Sequence, residues 1–99
     1  MPTRLTESEI ADRLSSLGSP WARTDAGHLT APYSFANFGE ALAFANAVGE
    51  RAERANHHPD LHVGWGRCSI VLWTHDAGGL TELDFALARE ISACYDALP

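Results

Sequence analysis

Three times in 99 residues, a side chain suited to cap a helix is followed three positions later by an acid: Thr6 and Glu9, Asn37 and Glu40, Thr81 and Asp84. The hydroxyl or amide accepts an orphan N–H of the first turn, and the acid can reach back to the cap residue, so each pair predicts a helix start. Behind each pair runs an apolar stripe of helical period. Ile10, Leu14 and Leu17 follow Thr6, with Leu5 and Ile10 placed as a hydrophobic staple, until Gly18 and Pro20 end the run near Leu17. After Asn37 come Phe38, Ala41, Leu42, Ala45, Val48, Gly49 and Ala52, which predict a helix to about Ala55; Pro59 disfavours helical geometry at His58. Leu83, Leu87, Ile91, Cys94 and Leu98 form the third stripe.

Between these helices the period falls to two. Leu29, Ala31, Tyr33 and Phe35 alternate with His28, Thr30, Pro32 and Ser34 after a turn signal at Asp25-Ala26-Gly27, so residues 21–35 read as a hairpin. Pro32 has no N–H for a ladder bond and should sit at an edge or face away from a partner. A second hairpin joins Leu61–Trp65 to Cys68–Thr74 through Gly66-Arg67, with Gly at the first central position as a type II′ turn prefers. Along its return strand Cys68, Ile70 and Leu72 share one face, while Ser69, Val71, Trp73 and His75 share the other and His75 ends the strand. The order α-β-β-α-β-β-α predicts an α+β, two-layer sandwich, a four-stranded antiparallel sheet with three helices on one face. No repeat, linker or low-complexity run divides residues 1–99, which read as a single domain. So short a chain buries a small share of its surface, which favours self-association.

Charge excludes some functions. Thirteen acidic and seven basic residues give a net charge of -6, and every one of those cations is Arg, without a cluster. Direct nucleic-acid binding is therefore not expected. The start Met-Pro-Thr-Arg-Leu has no apolar signal core, and no stretch approaches the roughly 20 apolar residues of a membrane span, so no membrane association and a cytoplasmic location are expected. Cys68 and Cys94 lack the close spacing of a zinc knuckle or redox pair and read as buried small hydrophobes.

Chemistry concentrates in one stretch. His57, His58, His62 and His75 lie within nineteen positions, at a helix exit and the hairpin that follows. Imidazole exchanges protons near neutral pH, so several on one wall can act as acid and base without a metal. Glu53 precedes His57 by four residues and shares its face if the helix continues, where a carboxylate would orient the ring. Two other readings stand beside this one: a solvated helix terminus, in which the imidazoles interact with the dipole, and a metal site of His57, His58 and His75, although adjacent histidines point apart and no zinc spacing is present. His62 alternates with Leu61 and Val63 and reads as exposed; His28 reads as a surface residue. Trp21, Trp65 and Trp73 could offer stacking surface to a flat ligand or simply fill the core. His57 and His58 both lie outside the apolar stripes, so replacing both by Ala is expected to spare the fold.

The run Glu53, His57-His58-Pro59, Trp65, His75, Asp84, with three, five, nine and eight residues intervening, resembles the signature of the pterin-4a-carbinolamine dehydratase family. The stretches Ala-Glu-Arg-Ala-Asn-His-His-Pro and Thr-His-Asp-Ala-Gly-Gly-Leu-Thr-Glu-Leu-Asp carry the likeness, which spans nearly the whole chain. The resemblance implies removal of water from a 4a-hydroxytetrahydropterin to give quinonoid dihydropterin, in recycling of the tetrahydrobiopterin used by aromatic amino-acid hydroxylases, with no cofactor and no metal. It implies that His57, His58 and His75 line the pterin site: His57 as principal acid, His58 as acid or base, His75 as a binder that exchanges protons. Glu53 would position His57, and Trp65 would pack near the substrate. Pro59 and Asp84 belong to the motif as structural residues, Asp84 by accepting the Thr81 N–H at a helix start. Homodimers or homotetramers are implied, the Val71–Trp73 face being apolar enough to associate. Trp73 is bulkier than the small residue expected before Thr74-His75, so pocket width or subunit packing should differ. The rival implication is a non-catalytic interaction or assembly role, since an animal relative stabilises dimers of a homeodomain transcription factor and others on this fold act in assembly.

Overall fold

Capping decides where each helix begins. In a computed structural model, which describes residues 3–99, Thr6 Oγ1 accepts the Glu9 N–H at 3.2 Å and Glu9 accepts the Thr6 N–H at 2.8 Å. The resulting helix α1 spans Glu7–Leu17 and ends at Gly18, whose φ of 76° suits a residue without Cβ. Strands β1 (Ala22–Arg23) and β2 (Leu29–Ser34) follow, then α2 (Phe38–Ala55), capped by the Asn37 amide oxygen on Glu40 N–H at 2.9 Å. Strands β3 (Asp60–Gly64) and β4 (Arg67–Leu72), a 3₁₀ turn at His75–Ala77 and α3 (Glu82–Asp96) complete the order. No helix among the described residues is long and apolar enough to cross a membrane.

The sheet is antiparallel in the order β1-β2-β4-β3. Register places Leu29 opposite Leu72, Ala31 opposite Ile70 and Tyr33 opposite Cys68, so one face of the two central strands is a continuous apolar surface. All six side chains are buried. They join Phe44, Ala45, Val48 and Ala52 of α2 and Phe85, Leu87, Ala88 and Ile91 of α3 in one core cluster, while Ile10 brings in α1. Burying each large side chain contributes about 1.5–3 kcal/mol. Ala at positions 41, 45 and 52 keeps α2 slim where it crosses the sheet.

Several expectations need correction. Phe38 and Leu42 of α2 are exposed, and Phe44 enters the core instead; the stripe is rotated toward Ala41, Phe44, Ala45 and Val48. Leu83 and Leu98 are likewise exposed, and α3 turns Phe85, Leu87, Ala88 and Ile91 inward. A helical stripe read from the sequence cannot fix such rotations, because the face a helix buries is chosen by what it packs against. The β3–β4 turn falls one residue early, on Trp65-Gly66, since Gly64 pairs with Arg67. Gly66 holds φ 72° at the second central position, the requirement of a type II rather than a type II′ turn. Pro32 sits in an interior strand, but the pairing with β1 stops at Thr30, so that side of Pro32 needs no ladder bond. Strand β4 ends at Leu72, and His75 opens the 3₁₀ turn.

Candidate active site

The exit of α2 sets the direction of two histidines. Asn56 adopts a left-handed conformation (φ 50°, ψ 42°) and donates to Glu53 O at 3.2 Å, while the next N–H, that of His57, reaches Ala52 O at 3.1 Å. This bonding pattern is a Schellman motif, which folds the residue after the left-handed one back over the last turn. His57 is consequently drawn inward and only 8% exposed, and His58, one residue on, points to solvent. Pro59 then prevents any return to helix before β3.

Inside, His57 meets Asp84. Nε2 of His57 lies 2.6 Å from Oδ1 of Asp84, a fully buried carboxylate in the first turn of α3. The other oxygen, Oδ2, accepts the Thr81 N–H at 2.9 Å and the Thr74 hydroxyl at 2.8 Å. With its proton directed at Asp84, Thr74 accepts from the Thr81 hydroxyl at 2.7 Å, and Thr81 Oγ1 in turn accepts the Leu83 N–H at 3.2 Å. Both Asp84 oxygens and both threonine hydroxyls of this network are paired, which a buried network requires. A carboxylate offers only acceptors here, so His57 presents N–H at Nε2 and keeps Nδ1 for other partners. The pair also joins the carbonyl end of α2 to the amide end of α3, each helix pole facing the complementary group.

The expected role of Glu53 changes with this geometry. Glu53 pairs with Nε2 of His58, not with His57, and both partners are exposed. The helix ends before position 57, so the four-residue spacing no longer puts Glu53 and His57 on one face. Asp84 makes the capping contact with Thr81 and also holds His57, a wider part than a cap alone. Because His57 is bonded inside the fold, replacing it is not structurally neutral: Asp84 would lose a donor at a cost of about 1–3 kcal/mol.

His75 reaches the same region from the other side. Thr74, its neighbour, turns inward to Asp84, while Trp73 and His75 turn outward and stack with ring centroids 4.3 Å apart and planes 13° from parallel. His28 stacks on Trp73 at 4.1 Å and 7°. Thus the α2 exit that carries His57 and His58, the 3₁₀ turn that opens on His75 and the start of α3 that carries Asp84 meet through the His57–Asp84 and Thr74–Asp84 bonds. Sequence reasoning missed Thr74 and His28: the alternation that buries Leu72 and runs on to Thr74 was an available signal for the first, whereas the pairing of β2 with β4, which brings His28 to Trp73, is set by the tertiary structure.

Other residues lie apart. Trp65 is 74% exposed at the β3–β4 turn, where Phe35 N–H bonds Gly66 O, the far end of β2 from His28. Strand β3 rises about 3.3 Å per residue, so Trp65 stands roughly 20 Å along the strand from Pro59 within one chain. His62 is exposed on β3 opposite Ser69. Trp21 is core, its indole N–H donating to Ser92 Oγ at 2.7 Å. A groove of about 680 Å³ lies between the start of α2 and the end of α3, lined by Phe35, Phe44, Cys94 and Tyr95; it contains no histidine and is remote from the cluster. No three His, Cys, Asp or Glu side chains among the described residues are arranged to hold a metal ion.

The same arrangement of sequence and fold recurs in known proteins. The sequence model of the family described as Pterin 4 alpha carbinolamine dehydratase matches residues 3–94. A protein of Rickettsia canadensis, which carries the provisional name pterin-4-alpha-carbinolamine dehydratase, is 44% identical over 89 residues, 90% of this chain and 82% of its own. Another with that provisional name, from Acidobacterium capsulatum, is 47% identical over 90 residues, covering 91% and 96%. Among solved structures, a transcriptional coactivator/pterin dehydratase from Brucella melitensis superposes with a TM-score of 0.87 at 34% identity, over 93% of this chain and 98% of that one. A pterin dehydratase-like protein identified as a RuBisCO assembly factor in the alpha-carboxysome shares the fold, with a TM-score of 0.65 and 20% identity over 79% and 92%.

Proposed function

The chain belongs to the pterin 4 alpha carbinolamine dehydratase family, and on that premise we propose that it dehydrates a 4a-hydroxytetrahydropterin to quinonoid dihydropterin and water by histidine acid–base catalysis. The observation that carries the reading is the buried His57–Asp84 pair, with exposed His58 next to it in the chain and exposed His75 following the Thr74 that also bonds Asp84. In the reaction the C4a–O bond breaks, N5 gives up its proton, and a C4a=N5 double bond forms. Hydroxide leaves poorly, so an acid must protonate it as the bond breaks, and a base must accept the N5 proton.

His57 serves as the acid. It does so in its doubly protonated form: Asp84 holds Nε2–H and the ring plane, and Nδ1–H is the proton given to the departing hydroxyl. His58, oriented by Glu53, takes the complementary part, and His75 binds the pterin and exchanges protons with it. Each proton taken from N5 balances one given to the departing hydroxyl, so the net protonation of the site is unchanged; His58 then gives its proton to solvent and His57 regains one before the next turnover. Trp65 contributes stacking surface only if it approaches from another chain, in keeping with the proposed homodimer or homotetramer. The pterin would come from an aromatic amino-acid hydroxylase in the cytoplasm, as part of tetrahydrobiopterin recycling.

The test is direct. Purified protein should accelerate decay of chemically generated 4a-hydroxytetrahydropterin, followed by ultraviolet absorbance, and His57→Ala should lower turnover by about 10²–10⁴-fold. Decay at the uncatalysed rate with the wild-type protein would favour a binding or assembly role instead.

A further inference from the structure

We infer that Trp73 is a positioning residue for His75, acting by stacking and steadied by His28; the inference rests on the dehydratase reading of His75. The three histidines of the site differ in what orients them. His57 has Asp84, and His58 has Glu53. Among the described residues no hydrogen bond holds the His75 imidazole, although its backbone is well anchored: Thr74 N–H bonds Gly79 O at 3.0 Å, and Gly78 N–H bonds His75 O at 3.1 Å. Among the described residues the aromatic partner of the ring is the indole of Trp73, parallel to within 13° at 4.3 Å.

The strand register explains why the indole stays in place. Leu29 pairs with Leu72, so one step further His28 lies opposite Trp73 across β2 and β4. Their rings stack at 4.1 Å, making a cross-strand pair that limits rotation of the indole. Trp73 points outward because Leu72 and Thr74, on either side of it, are both buried. A stacked partner differs from a carboxylate in one respect that matters here: it covers a ring face and leaves both ring nitrogens free. His75 can therefore accept from one polar atom of a heteroaromatic substrate and donate to another in the ring plane, whereas His57 has one nitrogen committed to Asp84.

Trp73→Leu removes the stacking surface, and Trp73→Phe retains one. In the Leu variant, kcat/KM for dehydration should fall roughly two- to tenfold, the weight of an aromatic pair, and the Phe variant should recover most of it. In proton NMR, the Cε1–H resonance of His75, displaced by the indole ring current in the wild type, should move toward its free-histidine position in the Leu variant while that of His57 stays. His28→Ala should move it part of the way, and this substitution at a half-buried position provides the readout if Trp73→Leu fails to fold. An unmoved His75 resonance, or a moved one with unchanged kcat/KM, overturns the inference. An inactive wild-type protein refutes the dehydratase reading and the positioning role with it, and is told apart because it is seen before any substitution is made.

Discussion

Asp84 receives three donors on two oxygens, from His57, Thr74 and the Thr81 backbone. An amide in its place has a single acceptor oxygen and adds two donors of its own, so Asp84→Asn must leave at least one buried group unpaired. We expect a loss of about 1–3 kcal/mol in urea unfolding, and a fall in dehydration rate of at least about tenfold because His57 loses its fixed tautomer. Full activity in this variant would remove His57 orientation from the mechanism. The two cysteines give a second contrast at this scale. Burial pushes the Cys68 thiol above its ordinary pKa and hides it completely, whereas Cys94 is half-buried. A thiol reagent on the native protein should modify Cys94 and spare Cys68 until the protein unfolds, which mass spectrometry of the labelled peptides would read.

Helix α2 offers a test of which face its neighbours select. Phe44 packs in the core against Tyr33, Phe35 and Tyr95, while Phe38, one turn and a half earlier, is exposed. Phe44→Ala should cost about 3–5 kcal/mol and Phe38→Ala under about 1 kcal/mol, measured by chemical denaturation of the same preparation. Comparable losses would mean that the helix is rotated from the orientation described. Helix α1 is tied to α3 partly by Glu82, which accepts from Arg13 at 2.5 Å and from Arg89 at 3.0 Å. Hydrogen bonds from Arg89 and Arg13 lower the Glu82 pKa below the usual carboxylate value. A lowered folded-state pKa means stability that is fully present above the unfolded value and lost as pH falls through the folded one. Glu82→Gln should therefore lower Tm by about 1–5 °C at neutral pH, the range for exposed pairs in a domain this size. Toward pH 3 the difference from wild type should close; a difference that persists would assign the effect to packing.

At the scale of the molecule, exposed apolar side chains remain on several elements: Phe38 and Leu42 on α2, Trp65 at the hairpin tip, Leu83 and Leu98 around α3. A chain this short gains from covering such surface, and the proposed dimer or tetramer would do so. Sedimentation velocity at micromolar concentration should give a species of twice or four times the chain mass; a monomer throughout would count against it. The order of elements was legible beforehand because caps, turn residues and periodicity are local: Thr6–Glu9, Asn37–Glu40 and Thr81–Asp84 need only their own neighbours to form. The histidine cluster was legible for the same reason, as a density of titratable groups along the chain. Which way each histidine points was not. His57 turns inward because Asn56 goes left-handed and a carboxylate 27 residues away is there to receive it. His75 is set by an indole whose own partner comes from another strand. Local signals along the chain were thus enough for the elements, their order and the residues capable of acid–base chemistry. The pairings came from folding, since orientation and burial depend on groups far apart in the chain that meet when the helices close over the sheet.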